Sequence, residues 1–230
     1  MSAPAFTLES LDLAALLCSK VCHDVISPVG AIVNGLEVLE DDSDEDTRTF
    51  ALELIKKSAG QASAKLQFCR LAFGAAGSAG AAIDTGDAEN VTRGLYGDDK
   101  IRLEWAVPRV LMPKNLVKLV LNLTLIAAGT IPRGGVVRVS SSGSVERPEI
   151  ELRATGTNPR VNATLAPLLA GEPVGNVLDA HAIQPYFTGL VARQVGYEVT
   201  LTHESDSVVV RALPMATVDV EPVPQMSSVA

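Results

Sequence analysis

Cys22-His23-Asp24-Val25-Ile26-Ser27-Pro28-Val29-Gly30-Ala31-Ile32 is the stretch on which the reading of this chain turns. It lies inside a longer apolar repeat: Leu11, Ala15, Cys18, Cys22, Val25, Val29, Ile32, Leu36 and Leu39. Steps of four and three alternate along it without a miss, which is the a/d seam of a coiled coil or helical bundle. His23 falls one residue past a seam position, on the flank of the stripe. A packed helix holds it there while solvent still reaches it. Pro28 follows five residues later in the same helix. It removes a backbone donor and clashes with the preceding turn, at a cost of about 3 kcal/mol. A helix that carries this cost beside a flank histidine points to chemistry at the histidine.

Working outward, residues 7–40 read as one long helix, with Thr7 as N-cap and Glu9 and Asp12 at the positive end of the dipole. The acidic run Glu40-Asp41-Asp42-Ser43-Asp44-Glu45-Asp46 reads as a tight solvated loop in which Ser43 caps the next helix. A calcium loop is disfavoured because the glycine and spaced ligands of an EF-hand are missing. The second helix is expected from about Asp44 to Phe73, with the seam Leu52, Ile55, Ala59, Ala62, Leu66, Cys69 and Phe73. Two long helices and a short loop make an antiparallel hairpin with one apolar face more than it can bury. Two copies complete a four-helix bundle, so a homodimer is expected.

Residues 74–86 are small and flexible and mark a boundary, after which the periodicity changes. Asp87 to Tyr96 reads as a short helix, Ile101 to Val107 as a strand, and Pro113 opens a helix to about Ala128. Val136 to Ser141 and Glu149 to Thr155 read as strands, and Leu165 to Leu169 as a short helix. Ile183 to Val195 is a helix ending at Gly196, and Tyr197 to Thr202 with Val208 to Leu213 closes the fold as a hairpin. The fold class is α+β: a helical hairpin at 1–76, a linker at 77–86, an α/β sandwich with helices on one face of a mixed sheet at 87–214, and a disordered tail at 215–230.

With 230 residues, 47% of them hydrophobic, the chain can bury a substantial core, and its net charge of −8 argues against nucleic acid as a partner. No uninterrupted apolar run reaches the ~18 residues of a membrane span. Leu116 to Ile131 comes closest and is broken by Lys118, Asn122 and Gly129. No basic segment precedes an apolar one at the N-terminus, so no secretory signal is expected, and three cysteines suit a reducing cytoplasm. Cys18, Cys22 and His23 read C-x-x-x-C-H, one residue longer than the c-type haem motif. A metal site is the other possibility, but both cysteines lie on the seam and read as small buried hydrophobes. His181 and His203 have no partner at recognisable spacing and read as structural.

His23 with Asp24 carries the chemistry. An imidazole nitrogen is a nucleophile only when neutral, and an unperturbed pKa near ~6.5 leaves much of it neutral at cell pH. A neighbouring carboxylate can hold the proton on the other ring nitrogen and stabilise the charge that develops on attack. The plain alternative is a surface histidine on a bundle. The H-D-x-x-x-P pattern on a heptad helix favours a phosphoacceptor.

His23-Asp24-Val25-Ile26-Ser27-Pro28 resembles the H-box of bacterial sensor histidine kinases, which pair a dimerising helical hairpin with a Bergerat-type ATP-binding domain. The second half is similar to that domain in the order of its elements, but its nucleotide boxes depart from the pattern. Asn122-Leu123-Thr124-Leu125-Ile126-Ala127 stands where N-L-x-x-N-A is expected, with Ile126 in place of a magnesium ligand. Ala154-Thr155-Gly156-Thr157-Asn158 stands for D-x-G-x-G, with Ala154 in place of the adenine-binding aspartate. Phe187-Thr188-Gly189-Leu190 stands for G-x-G-L. An isoleucine cannot coordinate magnesium and an alanine cannot accept a hydrogen bond from adenine, so no ATP binding is expected.

A kinase-like dimer that keeps the histidine and loses ATP resembles the ChpT-type histidine phosphotransferases, over roughly residues 5–213 and including Asp179-Ala180-His181-Ala182-Ile183-Gln184-Pro185-Tyr186. The resemblance implies a cytoplasmic homodimer that relays phosphoryl groups in cell-cycle control. His23, assisted by Asp24, would accept the group from the receiver domain of a hybrid histidine kinase and pass it to response regulators of the CtrA and CpdR type. No cofactor is expected on this chain; Mg2+ is expected on the partner receiver. The receiver should dock on Ile26, Ser27 and Gly30 with Phe68 of the second helix. Lys20 either adds positive charge there or is a solvated surface lysine. Two alternatives stand beside this reading: an ATP-dependent kinase, supported by Asn122, Gly156 and Gly189, and a dimerisation scaffold without chemistry.

Overall fold

The computed structural model describes residues 6–41, 44–74, 81–97 and 100–216. Ser43, residues 77–80 of the expected linker and the tail from residue 217 onward lie outside the described residues. Helix α1 runs from Ser10 to Glu40 and α2 from Glu45 to Ala72, and the two pack antiparallel. Their contact line is made of small residues: Pro28 and Gly35 on α1, and Ala51, Ser58 and Ala62 on α2, are all buried. A side chain at Gly35 would come within 2.7 Å of Ile55, so the axes approach closely there.

Two helix starts differ from expectation. The first helix begins at Ser10 behind Glu9, which makes no side-chain cap bond, so Thr7 is not the cap. The second is capped by Asp44, whose Oδ1 accepts hydrogen bonds from the backbone N–H of Asp46 and Thr47, both at 3.0 Å. A carboxylate at that position satisfies two orphan donors and meets the positive end of the dipole.

The apolar seam of α1 splits in two. Val25, Ile32 and Leu39 are half-buried, whereas Cys22, Val29 and Leu36 are exposed. With Ile26 and Val33 these three form an open stripe in alternating steps of four and three. On α2, Leu52, Ala59 and Leu66 are likewise exposed at intervals of seven, while Ile55 turns inward to Gly35. Cys18 and Cys22 are therefore exposed in the single chain rather than buried. Helix α1 is also, among the described residues, the one helix long and apolar enough to cross a membrane, with an 18-residue window of mean hydropathy 1.4. Polar residues such as His23 and Ser27 interrupt its apolar run, so it does not read as an unbroken span in the sequence.

Beyond the hairpin come β1 (Ala82–Asp84), α3 (Thr85–Tyr96), β2 (Ile101–Ala106), β3 (Leu111–Pro113), α4 (Lys114–Gly129), β4 (Gly135–Gly143), β5 (Pro148–Gly156), α5 (Leu165–Ala170), α6 (Ile183–Val195), β6 (Tyr197–His203) and β7 (Ser207–Pro214). The main sheet has the order β2-β4-β5-β7-β6, with β2 and β4 parallel and every other pair antiparallel. Its inner face (Val137, Val139, Ile150, Leu152, Ala154, Val208, Val210 and Ala212) is fully buried. Helices α3, α4 and α6 contact these strands, giving the expected α+β sandwich. The opposite face carries ion pairs such as Arg153–Glu204 and Arg211–Glu151.

The expected linker at 77–86 ends in order, with β1 pairing antiparallel to β3 and Asp84 capping α3 through Gly86 N–H at 2.7 Å. Three-residue strands are too short to show the alternation by which strands are read. The hairpin and sandwich also share one core: Phe68, Leu71 and Ala72 of α2 pack with Leu119, Leu123 and the sheet.

Candidate functional site

A proline cannot donate to the carbonyl four residues before it. For Pro28 that carbonyl belongs to Asp24. Lys65 reaches across from α2 and donates to it at 2.9 Å, so the facing helix supplies the missing bond. The proline thus draws an ammonium group to the residue next to His23.

The Asp24 carboxylate is shared. One oxygen pairs with Lys20 Nζ, four residues earlier on α1. The other lies 3.5 Å from His23 Nδ1, at the long end of hydrogen bonding. That arrangement favours the proton on Nδ1 and leaves Nε2 as the free nitrogen. The His23 side chain is 59% exposed, so an incoming group can reach it. Lys20 is mostly covered and bound to Asp24, which places its charge behind the carboxylate rather than beside the open ring nitrogen.

Ile26 is 70% exposed and Ser27 is exposed, while Gly30 is half-buried with open space where a side chain would sit. Phe68 does not belong with them. It is 1% exposed and packs in the common core, so it cannot form part of a docking face; a seam-like spacing does not say which side of α2 the sandwich covers. Cys69, beside it, has its thiol pushed up to about 11, first by burial and then by the Asp24 carboxylate.

The sandwich completes the site with a residue that spacing does not reveal. His181 meets His23 edge to face, with ring centroids 5.2 Å apart and planes at 79°. It stands in the turn that opens α6, where Asp179 Oδ1 accepts from the backbone N–H of His181 at 2.9 Å and of Ala182 at 2.7 Å. These bonds hold the Asp179 carboxyl below its usual range. Helix α1 lies against α6 through Leu13, Leu16 and Leu17 on one side and Ile183 and Tyr186 on the other. His203, by contrast, bonds the Pro159 carbonyl at 3.1 Å, away from His23. Two signals in the sequence pointed this way: a mid-helix proline implies a substitute donor, and the segment Asp179–Tyr186 carries the only histidine that opens a helix.

The residues aligned with nucleotide boxes have other engagements. The Asn122 side chain donates to the carbonyls of Ala72 and Lys118, both at 2.9 Å, and its Oδ1 accepts from Gln184 Nε2 at 3.1 Å. Ile126 is buried on α4 and lines an open cavity of about 780 Å³ between α4, α5 and the start of α6, which His181 also borders. Ala154 is fully buried under the helices. Phe187 packs edge to face on Phe73 at the end of α2, with centroids 5.8 Å apart. Side chains at Gly156 and Gly189 would come within 2.5 Å of the Gly134 carbonyl and 2.0 Å of the Leu169 carbonyl.

Comparison with known proteins agrees with this architecture. Residues 85–207 match the family described as the histidine phosphotransferase C-terminal domain. The protein phosphotransferase ChpT of Brucella abortus (strain 2308) is 49% identical over 213 residues, which cover 92% of this chain and 100% of that protein. A solved bacterial phosphotransferase superposes with a TM-score of 0.84 at 45% identity, over 91% of this chain and 100% of that one. The chain therefore belongs to the ChpT-type histidine phosphotransferases, phosphotransferase enzymes of two-component signalling.

Proposed function

We propose that His23 is the phosphoacceptor of a receiver-to-receiver relay that uses no ATP. The observation that carries the reading is an exposed imidazole whose Nδ1 faces Asp24 and whose Nε2 is open, on a helix held by Lys65 across Pro28. Nε2 attacks the phosphorus of a receiver's aspartyl phosphate in line, the bond to the aspartate oxygen breaks, and a phosphoramidate forms on the ring. Asp24 holds the Nδ1 proton and offsets the positive charge that the ring acquires. A second receiver's aspartate then takes the group in the reverse chemistry. Both bonds are energy-rich, so the transfer is near balance, and positioning does most of the work. The Mg2+ that neutralises the phosphoryl oxygens belongs to the receiver.

The partners in this reading are the receiver of a hybrid histidine kinase and response regulators of the CtrA and CpdR type, in the cytoplasm. They approach Ile26, Ser27 and Gly30, with Lys20 supporting Asp24. The exposed stripes of α1 and α2 support a homodimer. Against an ATP-dependent kinase stand the engagements of Asn122, Gly156 and Gly189, whose retention has packing reasons, and the apolar Ile126 and Ala154.

Incubation with a phosphorylated receiver tests the relay. The intact protein should take up acid-labile, base-stable phosphate, and His23→Ala should take up none while keeping its fold. Uptake by His23→Ala at the normal rate would end the reading. Calorimetric titration with Mg-ATP should show no binding in the micromolar range; a micromolar isotherm would restore the kinase.

A further inference from the structure

The pair His23–His181 joins two parts of the molecule at the point where the chemistry is proposed, and neither ring is buried. An exposed contact adds little to stability, so its effect falls on the orientation of the rings. We propose that His181 is a positioning residue for His23: the sandwich supplies an aromatic edge that limits rotation of the imidazole and keeps Nε2 aimed outward. The proposal rests on the reading of His23 as phosphoacceptor.

Three features make His181 suited to this role. Its backbone is fixed by the Asp179 carboxylate at the start of α6. Helix α6 is fixed on α1 by the apolar cluster of Leu13, Leu16 and Leu17 with Ile183 and Tyr186. Gln184, one turn further, bonds Asn122, which in turn bonds Ala72 of α2. The backbone that carries His181 is thus held with respect to both helices of the hairpin. On its own helix His23 has only the long contact to Asp24, which Lys20 also holds. A bond of 3.5 Å leaves the ring free to swing, and the edge-to-face contact removes that freedom. An imidazole that need not be reoriented during attack reacts faster.

The test compares His181→Ala, which deletes the ring, with His181→Phe, which keeps an aromatic edge and has no titratable nitrogen. Phosphoryl uptake is measured at saturating phosphorylated receiver, receiver affinity separately, and the ring protons of His23 by NMR. His181→Ala should lower the saturating rate roughly three- to tenfold, the factor an aromatic pair contributes. Receiver affinity should stay within about twofold, and the ring-current shift of the His23 protons should disappear. His181→Phe should regain most of the rate. A full rate in His181→Ala, a loss confined to receiver affinity, or a His181→Phe variant as slow as His181→Ala would each overturn the inference. His23→Ala, run alongside, separates the two claims: if it still takes up phosphate, the relay itself is wrong, and if it takes up none while His181→Ala is normal, only the positioning role falls.

Discussion

Pro28 leaves the Asp24 carbonyl without its helical donor, and Lys65 supplies one from the facing helix. Removing Lys65 should orphan that carbonyl and cost about 1 kcal/mol. Restoring an N–H at position 28 should make the lysine redundant. We therefore expect Lys65→Ala to lower the urea midpoint in the native background and to lower it much less beside Pro28→Ala, a double-mutant cycle with clear coupling. Two strictly additive changes would show that the lysine does not compensate the proline. At this scale the sequence displayed half the site. His23, Asp24 and Pro28 are neighbours on one helix, and their relation follows from spacing. Lys65 and His181 reach the same point only through packing, and the mid-helix proline was the one local hint that a distant donor was required.

The helices repeat the lesson one level up. A heptad pattern fixes the width of an apolar stripe but not which edge of it a neighbour covers. The long helices, the five main strands and the cap at Gly196 were all legible from periodicity and turn chemistry. The division of the α1 seam was not. Val25, Ile32 and Leu39 turn toward α2, while Cys22, Val29 and Leu36 face outward with Leu52, Ala59 and Leu66 of α2. On that outer face the proposed homodimer forms. A charge there should separate the protomers without opening the hairpin. Leu36→Asp and Leu66→Asp, at residues 47% and 49% exposed, are expected to give folded monomers by light scattering with unchanged circular dichroism. An unchanged dimer would move the interface elsewhere. Ile55, on the same repeat, is unsuited to this test, because its side chain lies against Gly35 inside the hairpin.

Across the whole molecule, two positions aligned with nucleotide boxes join hairpin to sandwich: the retained Asn122 and Phe187, which departs from the pattern. Asn122 holds Ala72, and Phe187 packs on Phe73. Asn122→Ala should leave the Ala72 carbonyl without its side-chain donor in a buried site, while the Gln184 amide keeps the Asn122 backbone carbonyl and Thr188. We expect a loss of about 3 kcal/mol, read as a lower urea midpoint with an unchanged slope; a loss below about 0.5 kcal/mol would mean that the joint does not depend on it. The sequence announced a boundary after residue 74 through its small residues, and this hid the joint, since Phe68 to Phe73 look like the end of one unit while packing in the core of the next.

Helix α2 presents two different faces. Its Phe68, Leu71 and Ala72 are interior to the sandwich, and its Leu52, Ala59 and Leu66 lie on the face proposed to meet a second copy. Mass action on that face therefore reaches the sheet: a partner bound only by the native chain shifts the unfolding equilibrium of everything that shares the helix. The melting temperature of the β-sheet should rise with protein concentration although the proposed interface lies on the helices. Dilution would then loosen the sandwich and the helix that carries His23 together.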